Sequence, residues 1–80
     1  MPDASIAPQI VRALREGVRE SLTLAGTLGV PVGRVNAVLH ALRDRCAGCL
    51  ELAQPYPDEP RLIVTVRDWP ALQRISADDG

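Results

Sequence analysis

Apolar residues recur at helical spacing over the first half of the chain and crowd into short β-branched runs over the second. Ile10, Val11, Leu14 and Val18 form one apolar stripe, the mark of an amphipathic helix. Pro8 suits the first turn of that helix, where a missing N–H costs nothing, and Gly17 marks its end. Val18 to Glu20 add a short strand. Ser21 then stands as the N-cap of a second helix, with Leu22, Ala25 and Leu28 at spacings of three. Gly26 weakens this helix by about 1 kcal/mol relative to alanine, and its lack of a side chain allows close packing on the next helix. Gly29 supplies a turn and Pro31 opens a third helix. There Val32, Val35, Val38, Leu39, Leu42 and Cys46 form a continuous stripe. Arg34, Asn36, Ala37, His40, Arg43 and Asp44 lie on the opposite side.

The period then changes. CLELA (49–53) and RLIVTV (61–66) read as strands, joined by the proline-rich loop QPYPDEP (54–60). Two strands alone are marginal, so Leu50, Leu52, Leu62, Val64 and Val66 must face the helices. Trp69, Leu72 and Ile75 form a short closing helical turn. The expected organisation is a flexible arm (1–7), a single domain (8–75) and a disordered tail (76–80). The fold class is α+β, three helices followed by a two-stranded hairpin.

Eighty residues make one domain with a modest core. The absence of Phe, with Trp69 and Tyr56 the only aromatics, makes that core aliphatic. All nine basic residues are Arg, a pattern read first as coding bias. The net charge of −1 argues against strong non-specific nucleic-acid affinity. Its distribution is uneven: between residues 8 and 76 nine arginines face seven acids, the ten less Asp3, Asp78 and Asp79. No apolar run reaches the ~18 residues of a membrane span, and MPDASIAP lacks the features of a secretory signal. A cytoplasmic protein without a membrane partner is expected.

Residues 21–42, SLTLAGTLGVPVGRVNAVLHAL, carry the strongest motif. Ala25, Gly29, Val35 and Val38 fall where a helix-turn-helix needs a small residue, a turn glycine and two buried aliphatics. With the hairpin that follows, residues 8 to 69 resemble the bacterial winged helix-turn-helix superfamily. The plan is similar to that of MarR-type regulators without their long dimerisation helices, and no specific family is identified. The resemblance implies a small DNA-binding transcriptional regulator whose third helix enters the major groove. The implied contacts are Val32, Gly33, Arg34, Asn36, Ala37, His40 and Arg43, with Ser21 offering its N–H and hydroxyl to phosphate and Arg61 standing in the wing. Arg34 suits guanine or phosphate, Asn36 suits adenine and Ala37 a thymine methyl. A homodimer or a partner regulator is expected to supplement the affinity of so small a domain.

The wing departs from that pattern, because its tip carries Asp58 and Glu59 among prolines. A protein-interaction module on the same fold, using Tyr56, Asp58, Glu59 and the edge strand, is the alternative. Winged-helix proteins of ferrous-iron transport operons are similar in plan, but their wing cysteines are missing here.

Cys46 and Cys49 form a Cys-x-x-Cys pair. Structural zinc needs four ligands, and His40 is the only histidine and lies across the helix from Cys46. The pair follows a helix rather than opening one, which is the wrong end for a stabilised thiolate. It reads as a small core residue and a strand start, with a reversible disulfide as the alternative. Trp69 reads as a lid on the core or, alternatively, a partner anchor. No nucleophile–base pair, phosphate loop or acid cluster is visible, so no enzyme, cofactor or metal is expected.

Overall fold

The structure, a computed structural model, describes residues 6–46 and 48–79, with side chains as far as Ser76. Among these residues it is α+β, with four helices and one antiparallel hairpin: α1 (Ala7–Arg15), α2 (Ser21–Leu28), α3 (Val32–Arg45), β1 (Leu50–Ala53), β2 (Ile63–Val66) and α4 (Trp69–Asp79).

Helix α1 begins with Pro8 in its first turn and buries Ala7, Ile10, Val11, Ala13 and Leu14. Ile6 is buried too, so the expected flexible arm does not include residues 6 and 7; residues 1–5 lie outside the described chain. The helix ends as the sequence suggests. Gly17 takes φ +111°, its N–H donates to the Leu14 carbonyl, and the Val18 N–H reaches back to the Ala13 carbonyl. This pairing satisfies carbonyls that the helix leaves open, and Val18 packs on the core beside it. The Arg12–Glu16 pairing that their four-residue spacing on α1 would allow is not among the ion pairs of the described residues. Its base-before-acid order is the weaker one.

Helix α2 turns Ala25 and Leu28 inward as expected, but not Leu22. Leu24 and Ser21 are fully buried, Ala25 and Leu28 pack on the core, and Leu22 is 41% exposed. Positions 21, 24, 25 and 28 make the helical face, of which a spacing of three from Leu22 finds only 25 and 28. Gly26 is exposed with open space around it, so it serves no close helix contact. Helix α3 follows its stripe closely. Val35, Val38, Leu39 and Leu42 are buried, and Val32 and Cys46 sit half-buried at its ends.

In the hairpin, Leu50 pairs with Val66 and Leu52 with Val64, which sets these four side chains on one face. Leu50 and Val64 are buried and the other two pack on the core, as the alternation predicts. The short strand expected over Val18–Glu20 is reduced to one bridge, Glu20 opposite Ile63. The Val64 N–H donates to the Arg19 carbonyl (2.8 Å) and the Ser21 N–H to the Leu62 carbonyl (2.9 Å), so this segment lines the second edge of β2.

Cys46 and Cys49 are joined by a disulfide. Cys49 is also a core residue, 1% exposed. The bridge links the end of α3 to the start of β1, so the disulfide weighed as the alternative is the state found, and Cys49 rather than the half-buried Cys46 is the core residue.

The chain closes with a full helix rather than a short turn. Asp68 Oδ1 accepts from the Ala71 N–H (3.1 Å), an N-cap, and Pro70 sits in the first turn. Leu72 and Ser76 are buried and α4 packs chiefly on α1. Residues 76–79 therefore continue this helix instead of forming a disordered tail; Gly80 lies outside the described residues.

Candidate nucleic-acid interface

Three residues, Gly29 to Pro31, join α2 to α3, and the helix axis turns by 117° between them. Gly29 makes this possible at φ +70°, a left-handed conformation that strains any residue with a side chain. Its N–H and that of Val30 both reach the Ala25 carbonyl. Pro31 is extended, and its carbonyl receives the N–H groups of Arg34 and Val35 to start α3. With Val35, Val38, Leu39 and Leu42 held in the core, the opposite face of α3 stands outward.

Of the sequence-derived contacts, Gly33, Arg34, Ala37 and His40 are exposed on that outer face. Val32 and Arg43 are half-buried at its margins, and Arg43 pairs with Asp44 at 3.6 Å. Ala41 lies on the same face, exposed, although its apolar side chain gave no signal in the sequence. Gly33, Ala37 and Ala41, four residues apart, form a low stripe beside Arg34 and His40.

Three expected contacts are placed otherwise. Ser21 is fully buried; its N–H donates to the Leu62 carbonyl and its Oγ accepts from the Leu62 N–H (2.8 Å). Both groups offered to phosphate are thus committed to the sheet. Asn36 is half-buried and its Nδ2 donates to the Pro60 carbonyl (2.7 Å), turning the amide toward the hairpin. Arg61 is clamped between Glu20 (3.2 Å) and Glu59 (3.1 Å), with its guanidinium 5.5 Å from the Tyr56 ring centre. The hydrogen bond to Glu20 and then the charge of Glu59 raise the Arg61 pKa above its ordinary value.

The hairpin is acidic in effect as well as in composition. Arg67 forms a two-point pair with Glu51 (2.8 and 3.0 Å), which lowers the Glu51 pKa through the hydrogen bond and then the charge. Both hairpin arginines are therefore matched to carboxylates. Asp58 at the tip is exposed. Between the end of α3 and β1 runs a groove of about 590 Å³ lined by Arg43, Asp44, Gly48, Leu50, Glu51 and Leu52.

Among the described residues no single helix is long and apolar enough to cross a membrane. Comparison with protein-family models, curated proteins and solved structures finds no match for this chain.

Proposed function

We propose that this protein is a small DNA-binding regulator on the winged helix-turn-helix plan, with α3 as the helix that enters the major groove. One observation carries the reading. A tight glycine turn swings α3 through 117° relative to α2 and leaves exposed a face that combines Arg34 and His40 with Gly33, Ala37 and Ala41. Paired helices at roughly 90–120° across a turn of three or four residues are the geometry that presents a recognition helix. Small residues let the backbone approach base edges, and an arginine among them can take guanine O6 and N7.

In this reading Arg34 supplies base contact. His40 and Arg43 supply phosphate contacts farther along the helix. Ser21 has no part in the contact, and Asn36 holds the hairpin. The acidic hairpin tip, tied to α3 through Asn36 and Pro60, offers phosphate no favourable contact, because carboxylates repel it. Binding by so few cations is weak and strongly salt-dependent.

The test is an amide NMR titration of the whole chain with a mixed-sequence duplex at low salt, repeated at moderate salt. The expected result is a set of shifts centred on Gly33, Arg34, Ala37, His40 and Arg43 that weakens with salt. No shifts on α3 at low salt would sink the reading and favour a protein-interaction role for the same fold.

A further inference from the structure

Positive charge without a carboxylate partner gathers at one end of α1. Arg43, Arg61 and Arg67 each pair with a carboxylate, whereas Arg12, Arg15 and Arg19 make no ion pair among the described residues. The Arg15 and Arg19 guanidinium carbons lie 6.0 and 5.9 Å from the ring centre of Trp69. Arg19 Nη1 donates to the backbone carbonyls of Leu14 and Val18, which holds its head in place. Arg15, Arg19 and Trp69, with Pro70 and Gln73, line a cleft of about 450 Å³. A second hollow, about 300 Å³, adjoins it through Arg15 and Gln73 and extends to Arg12.

The chemistry of this cleft selects an oxyanion. Two guanidiniums already lie over the indole, so a flat ring would have to displace them to stack there. Their outward N–H groups instead offer charge-assisted hydrogen bonds. A complementary segment exists on this chain. The hairpin tip, residues 55–60, carries Asp58, exposed and without an ion pair among the described residues, and Tyr56, 53% exposed. Pro55, Pro57 and Pro60 limit the tip's freedom, which lowers the entropy cost of docking it. With a net charge of −1, two copies feel little overall repulsion.

We propose that the cleft formed by Arg15, Arg19 and Trp69 receives the acidic hairpin tip of a second copy of this chain. The arginines take the Asp58 carboxylate, and Trp69 and Pro70 take the apolar side of the tip. The two surfaces differ, so reciprocal exchange closes a dimer and one-way docking propagates a chain. This association stands independently of whether α3 reads DNA. It also gives Asp58, which has no ion pair among the described residues, a cationic partner.

Sedimentation velocity on the whole chain over a range of concentrations at low salt tests the proposal, with the fluorescence of Trp69, the only tryptophan, followed over the same range. The expected result is association that weakens with salt and is tracked by the Trp69 emission. Arg15→Glu and Asp58→Arg, both at exposed positions, should each weaken association about tenfold or more. Mixing the two variants should restore it, because the reversed charges then face each other. Circular dichroism of each variant checks that it is folded. A wild-type chain that stays monomeric, association untouched by either reversal, or failure of the mixed variants to associate would overturn the proposal.

Discussion

Asn36 Nδ2 donates to the Pro60 carbonyl oxygen across 2.7 Å, joining the middle of α3 to the hairpin loop 24 residues later. The amide orientation is chemically determined, since its oxygen in that place would face another oxygen. Asn36 Oδ1 is left buried without a protein partner. Replacing Asn36 with Ala removes one good hydrogen bond and one unsatisfied acceptor together. The expected stability loss is therefore small, below about 1 kcal/mol, while amide exchange at Arg61 and Leu62 quickens. Hydrogen exchange by NMR checks this; unchanged exchange would show that the contact does not hold the hairpin.

Ser21 should matter for stability and not for ligand contact. Its hydroxyl satisfies the Leu62 N–H inside the protein. Ser21→Ala leaves that donor buried and unpaired, at a cost of about 1–3 kcal/mol. Urea unfolding measures the loss. A variant as stable as the wild type would contradict the assignment.

Arg34 is the reverse case, exposed on the outer face of α3. If α3 reads the groove, Arg34→Ala costs about 1–3 kcal/mol of specific binding and relaxes preference at one base pair. Once a preferred site has been selected, binding isotherms on that duplex and its single-base variants show the effect. Equal affinity of variant and wild type for all of them would show that α3 docks otherwise.

The Glu51–Arg67 pair predicts a pH signature. Arg67 depresses the Glu51 pKa in the folded state, by its hydrogen bond first and its charge second. A depressed carboxylate contributes stability above its unfolded pKa, about 4.3, and loses that contribution as pH falls through the lower folded value. Both side chains are well exposed, so solvent screening keeps the effect small. Carboxyl NMR titration should find Glu51 below the ordinary range and returned to it in Arg67→Ala. An ordinary midpoint in the wild type would remove the pair from the solution structure.

Local pattern alone determined much of this protein. The stripe Val35, Val38, Leu39 and Leu42, the breaks at Gly17 and Gly29, and the alternation of Leu50, Leu52, Val64 and Val66 each depend on neighbours a few residues away. Their elements are accordingly where the sequence places them. The signals for α4 were also local: Asp68 caps it and Pro70 opens it, although the acidic residues that follow read as a tail. Tertiary structure alone decided the fate of Ser21, Asn36 and Arg61. A serine before a helical run looks like a cap, but pairing with Leu62, 41 residues away, draws its hydroxyl into the core. Asn36 and Arg61 are polar residues on surfaces that look available until the hairpin folds back and supplies Pro60, Glu20 and Glu59. Helical and strand periods are written in adjacent residues, whereas the partner of a hydrogen-bonding side chain depends on which distant segment the packing brings beside it.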